Sequence, residues 1–181
     1  MILQIVSGGQ TGADQGGLEA GLALGIPVGG WAPKGWLTEN GPDPTLESEY
    51  GMKEHAEPGY PARTLANVLD SDCTILFGDL QSAGSMLTRE LCVKNKKPYI
   101  HIPGFCILLE ELRAHMRWKV EEVKLVDQFN HLRTTQMGFF CEFIKGRFTV
   151  LNIAGNRESV QPGIQQAVKS FLIEAIPLAN K

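Results

Sequence analysis

The chain has 181 residues, with 17 Lys and Arg against 20 Asp and Glu, which gives a formal net charge of −3 at pH 7. This balance argues against nucleic acid or an anionic membrane surface as the main partner, and no apolar run approaches the roughly 20 residues of a membrane span. The apolar start at Met1 lacks the features of a secretory signal, and the cysteines show no C-x-x-C pair. We therefore expect a cytoplasmic protein that folds as a single domain over residues 1–181.

The first predicted unit is a strand, a tight turn and a helix, in the stretch IVSGGQTGADQGGLEAGLALG from Ile5 to Gly25. A short apolar run ends at Val6, and Leu18 and Leu22 then stand at helical spacing on one stripe. Glycines let backbone N–H groups approach a bulky guest, and a helix N-terminus attracts an oxyanion. We interpret this turn as a phosphate-type cradle, with the candidate binding residues Gly8, Gly9, Gln10, Thr11, Gly12 and Asp14.

Two familiar nucleotide motifs do not fit this turn. Ser7 replaces the first glycine of G-x-G-x-x-G, and no acid that could hold a ribose follows the next strand before Glu39. A Walker loop fails as well, because neither Lys nor Ser or Thr follows Gly12. The alternative to a cradle is structural: Thr11 and Asp14 form a capping box, and the glycines allow close packing of helix against sheet.

The rest of the chain alternates predicted strands and helices. Strands are predicted at residues 26–32, 73–78, 98–103 and 147–155, and helices at 62–71, 84–95 and 107–129, with a closing helix whose apolar stripe runs from Val160 to Ala175. This order predicts a three-layer α/β fold, with a Rossmann-like, doubly wound parallel sheet of about five strands. Ligands of such sheets bind outside the carboxyl ends of the strands.

Residues 33–61 are rich in proline and glycine and show little apolar periodicity. Loops of this length inside a compact domain are usually lids or binding loops. We predict a structureless lid over the site, and the alternative is a loosely ordered surface loop.

Three further junctions carry polar residues after predicted strands or at helix starts. Arg63 stands in a first helical turn, where the helix dipole disfavours a cation, so it binds either a ligand or a carboxylate such as Glu57 or Asp70. Ser85 offers a hydroxyl at a helix start or is simply the N-cap. Arg157 presents a planar fork to an oxyanion or pairs with an acid of the lid. The candidate binding residues of these junctions are Arg63, Thr64, Asn67, Gly84, Ser85, Thr88, Gly155, Asn156, Arg157 and Ser159.

The wording SGGQTGADQGGLEAG, followed by GWAPKGWLTENG, RTLANVLDSDCTILFG and LNIAGNRES, closely resembles the molybdenum carrier family. That family is a Rossmann-like branch of the superfamily that includes the lysine-decarboxylase-like nucleotide phosphoribohydrolases. The resemblance runs through most of the chain and is weakest at residues 104–136, which look like an insertion. Their helical propensity makes them a candidate homo-oligomer contact. Trp36 stands where the family pattern leads us to expect a basic residue, so one anion contact is in question.

The resemblance implies a carrier or storage protein for molybdenum cofactor. The phosphate would occupy the cradle, and Trp31 or Trp36 would stack on the pterin, with Lys34 in the same candidate set. The implied partners are this small anionic cofactor and the molybdoenzymes that receive it, and phosphate, sulfate or an AMP-like anion are further candidate ligands. The histidines show no ligand spacing, so we assign no metal to the side chains.

Two rival functions stay open. One is a nucleotide phosphoribohydrolase that acts on AMP-type nucleotides with Glu90 and Arg63. The stretch FGDLQSAGSMLTREL lacks the proline and the paired glycines of the relatives' P-G-G-x-G-T-x-x-E motif, which weakens this interpretation. The other is a nucleotide-sensing module that binds without turnover.

Overall fold

The computed structural model describes residues 1–103 and 134–181. In chain order the elements are β1 (Gln4–Ser7), α1 (Ala13–Ala23), β2 (Val28–Gly29), β3 (Trp31–Ala32), β4 (Leu37–Thr38), β5 (Gly41–Pro42), α2 (Thr45–Tyr50), β6 (Lys53–Glu54), α3 (Tyr60–Asp70), β7 (Cys73–Phe77), α4 (Ala83–Lys94), β8 (Tyr99–Ile102), α5 (residues 134–144), β9 (Val150–Gly155) and α6 (Ile164–Ala179).

The central sheet has five parallel strands in the order β2-β1-β9-β7-β8, so β9, the last strand of the chain, pairs between β1 and β7. Helix α1 packs with α6, and α3 packs with α4. The predicted Rossmann-like, three-layer α/β fold is confirmed. All five residues of β7 are buried, which is typical of a parallel strand covered on both faces.

The main core joins the sheet to α1, α5 and α6. Phe171 of α6 packs edge-on against Phe77 of β7 and Phe140 of α5, with ring centroids 5.7 and 5.5 Å away. Two glycines of α1 make the contact of this helix close, because a Cβ on Gly16 would meet the Gln165 carbonyl at 2.4 Å and one on Gly17 would meet Ile153 at 2.6 Å. Close packing against the last helix and the sheet therefore accounts for these two helical glycines.

The predicted stripes of two helices need correction at their ends. Leu22 of α1 is 52% exposed, and Gly25 lies beyond the end of that helix. Val160 is 56% exposed in the turn that precedes α6, which begins only at Ile164.

The segment from Trp31 to Glu54 is folded, so the predicted lid is not structureless. We call it the covering segment. Strands β3 and β6 pair in parallel and β4 pairs with β5. Leu46 and Met52 of this segment are buried together with Leu18 of α1 in a second, smaller core. Strands of two residues are too short to show a periodicity in the sequence.

The predicted helix at 107–129, and most of the candidate oligomer contact at 104–136, lie outside the described residues. Within residues 1–103 and 134–181, no helix is long and apolar enough to cross a membrane.

Candidate functional site

A cavity of about 470 Å³ opens at the carboxyl edge of the sheet, between the end of β9, the turn after β1 and the N-termini of α3 and α4. Its position agrees with the rule that parallel sheets bind ligands outside the carboxyl ends of their strands. The cavity brings together nine of the predicted binding residues: Gln10, Asp14, Arg63, Thr64, Gly84, Thr88, Gly155, Asn156 and Arg157.

The glycines of the first turn make room for other parts of the protein. A Cβ on Gly8 would lie 1.4 Å from Nη1 of Arg63, so the guanidinium occupies the space beside this glycine. Gly9 has a φ of +72° and faces Leu46 and Met52 of the covering segment. The side chain of Arg63 from α3 therefore lies against this turn, in the position where a P-loop exposes its backbone to a ligand.

The backbone cradle expected at this turn is largely filled by the protein itself. The N–H of Gly12 donates to Oε1 of Gln165 at 3.1 Å, and the N–H of Ala13 donates to the carbonyl of Asn156 at 3.0 Å. The N-cap of α1 is Gly12, without a side-chain cap, and the hydroxyl of Thr11 donates to Glu39. The capping-box alternative is therefore wrong, and these N–H groups are satisfied without a ligand.

Arg63 and Asp14 form a loose, buried ion pair inside the cavity. Their side chains are 11% and 6% exposed, and Nη1 lies 3.5 Å from Oδ2. Burial raises the pKa of Asp14, although the positive charge of Arg63 opposes this effect. The predicted carboxylate partners of Arg63, Glu57 and Asp70, are wrong: Asp70 instead accepts a hydrogen bond from Nε1 of Trp31 at 2.7 Å.

Arg157 is the second cation of the cavity. Its guanidinium carbon lies 5.1 Å from the centre of the Tyr60 ring, and that of Arg63 lies 5.7 Å from the same centre. Among the described residues Arg157 forms no ion pair with a carboxylate. The predicted pairing with an acid of the lid is therefore wrong: the nearby acid, Glu39, accepts hydrogen bonds from Thr11 and Ser159 instead.

The position of Glu39 holds the covering segment against the turn after β9. Burial raises the pKa of Glu39, but the hydrogen bonds from Ser159 and Thr11, together with the charge of Arg157, outweigh it and leave this pKa below its usual range. As a carboxylate, Glu39 therefore joins the covering segment to the turns that follow β1 and β9.

Two buried donors at the cavity have no hydrogen-bond partner among residues 1–103 and 134–181. Oε1 of Gln10 accepts the N–H groups of Thr11 at 3.0 Å and of Glu39 at 2.8 Å, while its Nε2 is buried without an acceptor. Nε of Arg63 is likewise buried and unpaired. Buried polar groups are nearly always hydrogen-bonded, so such exceptions call for an explanation.

The N-terminus of α4 forms the opposite wall. Ser82 is its N-cap and accepts the N–H of Ser85 at 3.3 Å, so Ser85 is not the cap. Nδ2 of Asn156 donates to the carbonyl of Asp79 and to Oγ of Ser82, which fixes this wall to the end of β9. A Cβ on Gly84 would meet nothing within 4 Å, so this glycine faces open space.

The sequence profile of the circularly permutated YpsA SLOG family matches residues 5–176. The chain belongs to this family. A solved structure from Syntrophus aciditrophicus SB, named "Putative molybdenum carrier protein", is 34% identical, and the match covers 96% of either chain with a TM-score of 0.67. No curated protein matches the chain. The resemblance seen in the sequence is thus confirmed for the family and its Rossmann-like superfamily.

Several predicted residues of this SLOG-family chain serve the covering segment instead of the cavity. Asn67 is buried and bonds both the N–H and the carbonyl of Trp31, which attaches β3 to α3. The ring of Trp31 packs edge-on against His55, and Trp36 packs against the smaller core. Neither tryptophan lines the cavity, so the structure does not place them where a pterin ring would stack in it.

Two charged candidates also lie outside the cavity. Lys34 is exposed on the covering segment, and Glu90, the candidate catalytic acid, is exposed on α4. Thr64 and Thr88 line the cavity, but their hydroxyls donate to the carbonyls of Tyr60 and Gly84 in their own helices. Among residues 1–103 and 134–181, no three His, Cys, Asp or Glu side chains could hold a metal ion.

Sequence reasoning missed Tyr60 and Glu39. Tyr60 stands three residues before Arg63, and this spacing on a helix places two side chains on one face. That signal was available for the pair, whereas the approach of Arg157 to the same ring depends on a contact across 97 positions of the chain, which no local pattern encodes.

Proposed function

We propose that this protein binds and carries an anionic, phosphate-bearing cofactor in the cavity at the carboxyl edge of the sheet. The observation that carries the proposal is the pair of guanidinium groups of Arg63 and Arg157, which share one aromatic ring and one cavity. A single buried carboxyl, Asp14, lies among them. Two cations with one weakly acidic partner leave an excess of positive charge for an oxyanion.

The surroundings of this pair support an anionic ligand. The N-termini of α3 and α4 both contribute lining residues, and helix N-termini favour negative charge. The volume of about 470 Å³ lies within the range of roughly 300–1,000 Å³ that small-molecule sites occupy. Pro61, Leu87 and Val160 add an apolar wall that suits a ring system attached to the anion.

Molybdenum cofactor is the ligand that we infer for this cavity. The solved relative carries the name of a molybdenum carrier, and the cofactor joins a pterin to a phosphate. The unpaired donors of Gln10 and Arg63 are suited to phosphate oxygens, and the apolar wall is suited to the pterin. Phosphate, sulfate and AMP-like anions share the phosphate chemistry, so the nucleotide-sensing alternative uses the same cavity.

The phosphoribohydrolase alternative finds less support. Glu90 does not line the cavity that holds Arg63, so the two residues offered for catalysis are not brought together there.

The proposal is tested by identifying what the purified protein carries. Mass spectrometry of the released small molecules, with elemental analysis for molybdenum, should find a phosphate-bearing compound on the wild-type protein and much less of it on Arg157→Ala. Lys34→Ala removes an exposed cation outside the cavity and is the matched control, which should carry the wild-type amount. Equal loading of all three proteins would overturn the proposal, and release of ribose 5-phosphate from AMP would favour the hydrolase.

A further inference from the structure

We propose that the cavity takes a phosphate monoester with its phosphate innermost, and that Asp14 binds this phosphate as a neutral acid. The inference rests on the proposed function and adds to it the ester class of the ligand, its direction of entry and a residue that selects it. Three inner groups carry the argument: the amide of Gln10, the guanidinium of Arg63 and the carboxyl of Asp14.

The orientation of the Gln10 amide is fixed by the backbone. Its Oε1 accepts two N–H groups, from Thr11 and Glu39, and the flipped amide would set donor against donor at both places. Nε2 is therefore the buried donor, in a residue that is 5% exposed and lines the cavity. It needs an acceptor that the described protein does not supply.

Arg63 presents a second donor of the same kind. Its guanidinium is held beside Gly8, where a Cβ would overlap Nη1, and over the ring of Tyr60. Its ion pair with Asp14 is long at 3.5 Å, and Nε is buried without a partner in the described part of the chain. Two buried, unpaired donors on side chains that line one cavity, and whose residues both contact Oδ2 of Asp14, are an arrangement that one multiply bonded oxyanion satisfies.

Asp14 completes the set because a neutral carboxyl can donate a hydrogen bond to a phosphate oxygen, whereas a carboxylate would repel it. It accepts the N–H of Gln10 at 3.3 Å, and the charged groups that act on it within the described residues are Arg63 and Arg157. Burial already raises the pKa of Asp14, and a phosphate dianion bound to Arg63 would raise this pKa further by like-charge repulsion. Asp14 then takes up a proton from solvent and donates it in a hydrogen bond to a phosphate oxygen.

A monoester suits these groups better than a diester. Its phosphate has three terminal oxygens, one for each of Gln10, Arg63 and Asp14, whereas a diester has two and carries carbon on both sides. The apolar residues Leu87 and Val160 also line the cavity, and Val160 is 56% exposed, so the organic part of the ligand lies toward solvent. A dinucleotide, whose phosphates lie in the middle of the molecule, does not fit this order.

The first experiment is isothermal titration of the full-length protein with AMP, with the methyl ester of AMP phosphate and with inorganic phosphate. Titrations at pH 8, where the second pKa of a phosphate monoester (about 6) leaves AMP a dianion, are run in two buffers of different ionisation enthalpy. We expect uptake of up to one proton with AMP, affinity that falls by up to about tenfold per pH unit where Asp14 titrates, and binding of the methyl ester at least ten times weaker.

Two variants distinguish the effect of the Asp14 charge and proton from the effect of the shape of its side chain. Asp14→Asn is always neutral, accepts the Gln10 N–H and still offers a donor, so it should bind AMP within about threefold of the wild-type affinity at pH 7 without proton uptake. Asp14→Ala should bind at least ten times more weakly, with circular dichroism as the folding control for both variants.

The outcomes distinguish the two proposals. Equal affinity for AMP and its methyl ester, or binding of AMP by Asp14→Asn as weak as by Asp14→Ala, overturns the inference while the anion-binding function stands. If the wild-type protein binds neither AMP nor inorganic phosphate, the proposed function itself fails.

Discussion

Polar groups at the amino edge and at the carboxyl edge of the central sheet differ in how completely they are hydrogen-bonded. At the amino edge, Oδ2 of Asp72 accepts three hydrogen bonds, from the N–H and hydroxyl of Thr149 and the N–H of Val150, at 2.7 to 2.9 Å. Nζ of Lys97 donates there to the carbonyls of Leu69 and Ser71. At the carboxyl edge, buried donors of the cavity have no acceptor within the residues that the structure describes.

Two aspartates show what this difference means. The N–H groups of Thr149 and Val150 hold the pKa of Asp72 below its usual range, whereas burial raises the pKa of Asp14. A carboxylate that accepts several hydrogen bonds from the protein stabilises the fold. The raised pKa of a buried carboxyl is typical of functional sites, and we propose that a ligand binds at this edge.

The largest expected effect on ligand affinity comes from filling the space beside Gly8. Gly8→Ala places a Cβ 1.4 Å from Nη1 of Arg63, so the guanidinium must leave its position. A charge-assisted hydrogen bond contributes about 1.5–3 kcal/mol, so titration should show ligand affinity reduced roughly 10- to 100-fold. Gly138→Ala, at an exposed helical position with nothing within 4 Å, is the control and should leave affinity unchanged. Wild-type affinity in Gly8→Ala would mean that the position of Arg63 does not matter.

Gly9→Val should act on stability. Gly9 has a φ of +72°, and its Cβ would meet Leu46 and Met52 at 2.9 Å. Backbone strain and overpacking each cost about 1–3 kcal/mol, so the free energy of unfolding should fall by about 2–6 kcal/mol in denaturant titration. The first turn was interpreted from its sequence as ligand-facing at this glycine, and a variant of wild-type stability that no longer binds would restore that interpretation.

Removing the Asp72 carboxylate should weaken the amino edge. Asp72→Asn should lower the free energy of unfolding by about 1–2 kcal/mol at pH 7, the value of hydrogen bonds to a partly exposed charged group, without changing ligand affinity. Because the pKa of Asp72 is lowered on folding, its contribution is present above the unfolded pKa of about 3.9 and is lost as pH falls through the folded pKa.

The pH dependence gives this prediction its control. The stability difference between wild type and Asp72→Asn should shrink in thermal melts below about pH 4, and Glu90→Gln, which removes an exposed carboxylate of α4, should show no comparable difference at any pH. A constant difference from pH 7 to pH 3 would argue that the asparagine acts through packing.

The smallest effect is expected at Glu39, which links the covering segment to Thr11 and Ser159. Glu39→Gln loses the charge of this acceptor, so limited proteolysis between Thr38 and Tyr60 should be a few times faster, and bound ligand should slow it. Cleavage that starts elsewhere, at the same rate in both proteins, would show that these contacts do not hold the segment closed.

Much of this fold could be predicted because parallel strands and their helices leave strong patterns. The run CTILFG gave β7 to within a residue, and Arg63 and Arg157 were found because the carboxyl ends of parallel strands meet at one edge. Alternation thus predicts which residues converge on the ligand edge of the sheet.

What could not be predicted depends on contacts between distant residues. From the sequence, Arg63 was paired with carboxylates close to it in the chain, whereas its ion pair is with Asp14, 49 positions away. The fold of the covering segment was not predicted because two-residue strands show no periodicity in the sequence. Asn67 of α3, which bonds Trp31 of this segment, looks in the sequence like part of a polar helix face. Side-chain burial, which alone reveals the unpaired donors, is a property of the assembled fold.

The most direct test of the central claim is a crystal structure of the protein with AMP bound. The account predicts that the phosphate lies within hydrogen-bonding distance of Nε2 of Gln10 and Nε of Arg63, with Arg157 beside it and the adenosine toward Val160. A phosphate bound at the second cavity, near Asp79 and His101, or a cavity with Gln10 and Arg63 still unpaired while AMP binds elsewhere, would contradict it.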